Sequence, residues 1–352
     1  MRLRIQFAAT LLFLSFFLCK VGTDAKADDK SEPYNYFREY VGLNDQQIQS
    51  IGNGKAFAKV LDADSADQIR VFGAVYINAT PESYLKFASD IDALRKLPSY
   101  LAIRKFSDPP VLSDLDGFTL DEEDVKQLKD CKPGRCEIQL PAESMEEFQK
   151  SVNWSAKDVA DQANRVARQM ALESLLQYQH GGNAALGTYR DKNHPAAVAE
   201  TFESLLNRLK ALPVYLPDLN NFLLQYPSAK SANIQSEFYW EKINFGLKPT
   251  LRMVQAIVYR GTVQTQPAYA VAVKQLYSSH YFEAALDLTI CVKDTGNPAR
   301  PGFFLITVKS SQQAGLTGFK GGIVRKVAVD KTRSSLERAL ASIKQKLETP
   351  AG

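Results

Sequence analysis

The run Tyr281-Phe282-Glu283-Ala284-Ala285-Leu286-Asp287-Leu288-Thr289-Ile290-Cys291-Val292 decides the fold. Phe282, Ala284, Leu286, Leu288, Ile290 and Val292 fall on one side of an extended chain, with Glu283, Asp287 and Thr289 on the other. Successive side chains of a strand point to opposite faces, so this alternation predicts an antiparallel sheet with one buried face. Strand-like segments flank it at 234–245, 250–259, 268–277 and 303–309. Nearer the start, Phe57 and Val60, then Val71, Phe72, Val75 and Ile77, predict two strands around Asp62-Ala63-Asp64-Ser65. Another spans 100–106 and ends at Asp108-Pro109-Pro110.

Helical signals sit at three places. Asn44 is suited to cap a short helix in the N-terminal segment 28–54. Thr80-Pro81-Glu82-Ser83 opens a second, whose apolar face is Tyr84, Phe87, Ile91 and Leu94. Between 121 and 230 the period becomes helical, with helices expected at 122–128, 144–152, 157–179 and 196–212. Val159, Ala163, Val166 and Met170 share a face of the third, and Val198, Phe202, Leu205 and Leu209 a face of the fourth, which reads as a helix-on-helix core. At the end, Leu336, Leu340, Ile343 and Leu347 predict an amphipathic helix over 329–347.

The 352 residues are 45% apolar and 23% charged, enough to bury a sizeable core and incompatible with disorder throughout. A net charge of +4 without Lys/Arg clusters excludes a strongly basic nucleic-acid binder, and three histidines limit metal and general-base chemistry. H-E-x-x-H, the P-loop, G-x-G-x-x-G and G-x-S-x-G are absent from the sequence, so no metal, cofactor or catalytic residue is assigned.

Met1-Arg2-Leu3-Arg4, the apolar run from Phe7 to Leu18, and Ala25-Lys26-Ala27 follow the three-part pattern of a signal peptide over 1–27. The apolar run is about a dozen residues against the roughly 20 a bilayer requires, so the expectation is an exported chain, periplasmic or secreted, with no integral span after cleavage. Loss of 1–27 would remove Arg2, Arg4, Lys20, Lys26 and Asp24 and bring the charge close to neutral.

In an oxidising compartment, Cys131-Lys132-Pro133-Gly134-Arg135-Cys136 reads as a turn closed by a Cys131–Cys136 disulfide. A redox pair would call for C-x-x-C in a thioredoxin-like context, and a zinc site for two further ligands at suitable spacing. Cys291, left over in an apolar strand, is expected to be a buried free thiol.

Phe238, Trp240, Met253, Ile257, Tyr259, Tyr269 and Phe282 put aromatic and flexible apolar groups on the C-terminal strands. They could line a cavity for an acyl chain, ring or sterol-like ligand, or simply fill a core. His280, at the parity of Phe282, would be a polar anchor in such a cavity, a general base, or a core histidine with its hydrogen bonds met. Glu237, Glu241, Arg252 and Arg260 would be a charged mouth or exposed ion pairs.

The element order, with the phrase Val75-Tyr76-Ile77-Asn78-Ala79-Thr80-Pro81-Glu82, resembles the helix-grip fold of the START and Bet v 1-like superfamily. The resemblance covers 55–120 and 231–348 and leaves 121–230 as a helical insertion. It implies an α+β fold: an antiparallel sheet wrapped on a long C-terminal helix, with an apolar cavity between them. The stretch 130–141, with Tyr277-Ser278-Ser279-His280-Tyr281-Phe282, also resembles exported bacterial proteins of unknown function. The function expected is non-catalytic binding of a hydrophobic small molecule or lipid in the cell envelope. Two alternatives stand beside it: an envelope enzyme acting on a lipid or polyketide-like substrate, and a protein-interaction module built on the insertion.

Overall fold

The computed structural model describes residues 33–349 except 98, 245–247, 264, 265, 298, 314 and 317. The expected signal peptide lies outside the described residues. In chain order the elements are α1 (Tyr34–Glu39), α2 (Asp45–Gly52), β1 (Phe57–Leu61), β2 (Gln68–Ile77), α3 (Pro81–Ala88), α4 (Ile91–Arg95) and β3 (Tyr100–Lys105). Then come α5 (Glu122–Leu128), α6 (Ala142–Ser151), α7 (Val159–Gly181), a small hairpin of β4 (Thr188–Tyr189) and β5 (Ala196–Ala197), α8 (Val198–Asn207), α9 (Leu212–Tyr215) and α10 (Pro217–Gln225). The chain closes with β6 (Ile234–Ile243), β7 (Thr250–Val263), β8 (Gln266–Ser278), β9 (Phe282–Lys293), β10 (Phe303–Gln313) and α11 (Gly318–Glu348).

Eight strands form one antiparallel sheet in the order β1-β2-β10-β9-β8-β7-β6-β3. With the long terminal helix this is a mixed α+β architecture compatible with a helix-grip-like fold. The helix α11 lies against β1 and β2, where Leu336 and Leu340 pack with Ile69, Val71, Val75 and Ile77. Gly73 permits that approach, because a Cβ there would stand 2.7 Å from Leu340 and 2.8 Å from Leu336. The helix begins a third of its length earlier than its apolar pattern suggests. Gly321 and Gly322 each oppose helix by about 1 kcal/mol, which hides the first turns from propensity arguments.

The alternation in β9 predicts one buried face, but both faces of the sheet are covered. Phe72, Ile257, Leu286, Leu288, Phe304 and Ile306 meet α1, α2, α8, α9 and α10 on the side away from α11. On the side of β9 that reads as a solvent face from Glu283, Asp287 and Thr289, Ala285 and Thr289 are small enough to be buried, and Cys291 is buried as expected. In β2 and β10 the runs Val71–Ile77 and Phe303–Val308 are buried without interruption, the pattern of strands covered on both sides.

The helical segment between β3 and β6 therefore packs on the sheet. The helix expected over 196–212 ends as α8 at Asn207, and two further helices, α9 and α10, follow with Pro213 and Pro217 in their first turns. The long α7 stops at Gly182, whose φ of 59° and contact with the Tyr226 carbonyl leave no room for a side chain.

Candidate ligand cleft between α7 and the sheet

On α7, Ala163, Ala167, Ala171 and Leu175 recur every four residues and form the buried stripe. Alanine projects a single methyl group, so the helix offers little volume toward the strands opposite. What remains is a cleft of about 1220 Å³ between α6, α7 and the sheet. Its floor is Leu251 and Met253 of β7 with Leu276 and Tyr277 of β8; Phe118, Leu128, Ile138, Leu140, Phe148, Val166 and Met170 supply the walls. At the rim stand the exposed side chains of Glu143 and Glu147 on α6 and Arg165 and Glu173 on α7. An apolar interior with a mixed-charge rim suits a ligand held by burial and not by ion pairing.

The segment 121–140 is fixed to the sheet by polar contacts that converge on the β8–β9 turn. The Gln139 amide donates to Ser279 O at 2.8 Å, and the Ser278 amide donates to Tyr189 Oη at 3.0 Å. His280 Nε2 lies 3.1 Å from Asp124 Oδ2, and its Nδ1 lies 3.2 Å from Glu137 O. Both ring nitrogens thus face acceptors. Asp124 also pairs with Lys248 through its other oxygen. Burial alone would raise the Asp124 pKa, but the hydrogen bonds and charges of His280 and Lys248 outweigh it and hold the carboxyl below its usual range. The Cys131–Cys136 disulfide closes the loop that carries Glu137 toward His280.

His280 does not continue the parity of β9. Tyr281 adopts a φ of 66°, uncommon for a residue other than glycine, and reverses the chain before the strand starts at Phe282. A register shift at Gln312/Gln313 then separates Phe282 from the alternation that follows, and its ring lies 5.8 Å from the Arg252 guanidinium. The residues expected to line one cavity are distributed over the sheet. Phe238, Trp240 and Met253 are on the insertion side, with Met253 in the cleft floor and Trp240 behind it, donating from Nε1 to Asp114 O at 2.7 Å. Ile257 and Tyr259 are on the same face under α8–α10, whereas Tyr269 is on the α11 face, donating to Glu82 at 2.6 Å.

On that α11 face Glu241 and Arg252 are direct cross-strand neighbours, paired at 3.2 Å and both buried. Burial raises the Glu241 pKa and Arg252 opposes the rise. A buried ion pair therefore occupies a place where the charged mouth or exposed pairs were expected. Cys291 is buried there too, its thiol pushed up by burial.

One functional-type residue is missed by motif reasoning. Lys274 is fully buried on the insertion side of β8, continuing the row Ala268, Ala270, Ala272. Its amine donates to Tyr178 Oη at 2.9 Å and to Asn183 Oδ1, and sits 4.2 Å from the centre of the Phe202 ring. Tyr178 in turn donates to Gln255 Oε1 at 2.8 Å. Burial pushes the Lys274 pKa down to about 7. The only signal in the sequence is a lysine at an apolar strand parity.

Among the described residues, no group of three or more His, Cys, Asp or Glu side chains could hold a metal ion, and no helix is long and apolar enough to cross a membrane. No family model and no curated protein matches the chain. What defines this α+β protein is thus its fold and the cleft.

Proposed function

We propose that the chain is an exported protein of the helix-grip kind that binds a hydrophobic small molecule or lipid without transforming it, in the cleft between α7 and the sheet. The supporting observation is a cleft of about 1220 Å³, open at its rim, that Ala167 and Ala171 of α7 line together with Leu251, Met253, Leu276 and Tyr277 of the sheet. Apolar side chains on the wall of an open cleft lack dispersion partners on that side. A bound apolar molecule supplies them. In the helix-grip pattern the ligand lies between the sheet and the terminal helix; here the proposed site is on the opposite face, formed by the insertion. His280 has both nitrogens engaged by Asp124 and Glu137 O, which supports a positioning role over that of a general base.

The test is titration of the delipidated protein with a fluorescent apolar probe. Binding is expected for the native chain and should fall in Ala171→Trp, which fills the cleft, and fall less in the milder Ala167→Leu. Absence of uptake by the native chain, or uptake by Ala171→Trp equal to that of the native chain, would overturn the proposal.

A further inference from the structure

A second cavity, of about 570 Å³, lies on the same side of the sheet but at its β9–β10 end, under α1 and α9. Its floor is apolar: Leu288, Ile290 and Val292 of β9 with Ile306 and Val308 of β10. Ile290 and Val292 are only partly buried by protein. Opposite them stands an aromatic wall in which Tyr36, Tyr40 and Tyr215 lie with ring centres 5.7–6.3 Å apart. The size falls within the roughly 300–1,000 Å³ of small-molecule sites.

The mouth is polar and contains a guanidinium of unusual standing. Arg70 also lines the cavity and donates to two backbone carbonyls, Asp62 O at 3.0 Å and Arg208 O at 3.1 Å. Its Nε is buried and has no hydrogen-bond partner. The mouth carries Arg70, Arg208, Lys210 and Lys293 against Glu39, Asp62 and Asp64; Arg208 is paired with Asp64, and Asp62 acts on the charge of Arg70. Two carbonyl oxygens orient the Arg70 fork, and burial disfavours its charge more than nearby Asp62 favours it. A desolvated guanidinium with a spare N–H favours an anion, and a carboxylate is the anion whose planar geometry matches it.

We propose that this cavity is a second ligand site, taking an amphiphile with a carboxylate head at Arg70 and an apolar tail over Ile290, Val292 and Ile306. The site is separate from the α7 cleft and stands or falls without it. A head-group contact of this kind discriminates between an acid and its ester, which a purely apolar pocket does not.

The experiment compares binding of dodecanoate and its methyl ester to the delipidated full chain by calorimetry. Dodecanoate is expected to bind at least about tenfold more tightly than the ester, the effect of a charged hydrogen bond. Arg70→Gln should remove that preference while leaving ester binding in place, and, in the Ala171→Trp background where the α7 cleft is closed, Ile290→Trp, which fills the cavity without touching Arg70, should remove binding of both. Ala171→Trp, which closes the other cleft, should leave the dodecanoate preference unchanged. Equal affinity for acid and ester, a preference that survives Arg70→Gln in a variant with native circular dichroism, or unaltered binding when Ile290→Trp is added to Ala171→Trp would each overturn the proposal.

Discussion

Replacing Lys274 with methionine should stabilise the protein at neutral pH and not at high pH. The amine is buried among Tyr178, Asn183, Phe202 and, through Tyr178, Gln255, with no carboxylate among the causes of its shift. Burial moves its pKa from 10.5 to about 7. The unfolded chain therefore binds a proton between those values that the folded chain does not, so stability rises as pH climbs from 7 toward 10.5 and is level below 7. At about 1.4 kcal/mol per pH unit the upper bound is about 5 kcal/mol of stability missing at pH 7. Lys274→Met removes this cost but leaves Asn183 Oδ1 and Tyr178 Oη without their donor, a loss of about 1–3 kcal/mol. The net expectation at pH 7 is a gain of about 2 kcal/mol, turning into a loss of similar size near pH 10. Tyr178 and Tyr226 have pKa values raised by burial, so they stay neutral across the window and do not supply the effect. Urea unfolding of both proteins at intervals from pH 6.5 to 10 measures the difference. A variant displaced from the native protein by the same amount at every pH would refute the reasoning.

Other perturbations follow from the same contacts. His280→Ala should cost about 3 kcal/mol, because it leaves the buried Asp124 with Lys248 alone; thermal unfolding checks this, and probe binding in the cleft should persist. Asp124, with its depressed pKa, adds stability that is present above its unfolded pKa and is lost as pH falls through the lower folded value. In Asp124→Asn the acid end of the stability profile should flatten, as seen in unfolding midpoints from pH 5 to 2. Removing the disulfide by Cys131→Ser with Cys136→Ser opens a loop of sequence separation 5, worth about 2 kcal/mol, and should speed tryptic cleavage at Arg135. Gly73→Val should destabilise by about 1–3 kcal/mol by pushing Leu336 and Leu340 off β2, which a melting experiment resolves.

The sheet is legible in the sequence because its signals are local. Alternation in β9, the Thr80-Pro81 helix start and the leucines of α11 each depend on neighbours within a few residues. Even there, two side chains escape: Phe282 is shifted by a bulge paired through Gln312/Gln313, and His280 is turned by the φ of Tyr281. Coverage of both faces is not legible, since Ala285 and Thr289 fit equally well at a surface or against packed side chains. Nor is the docking of the insertion, because His280–Asp124 joins positions 156 residues apart and no periodicity encodes such a pair. The alanines of α7 are visible as a stripe, but the volume they leave is set by what stands opposite. That volume depends on tertiary placement, which moved the candidate site from the terminal-helix face to the insertion face.

The most direct test of a carried apolar molecule is native mass spectrometry of the chain purified without detergent, with solvent extraction of whatever it releases. The account predicts a stoichiometric apolar compound on the native protein that is depleted in Ala171→Trp. A native protein that is empty, and whose cleft also takes up no apolar probe, would contradict it.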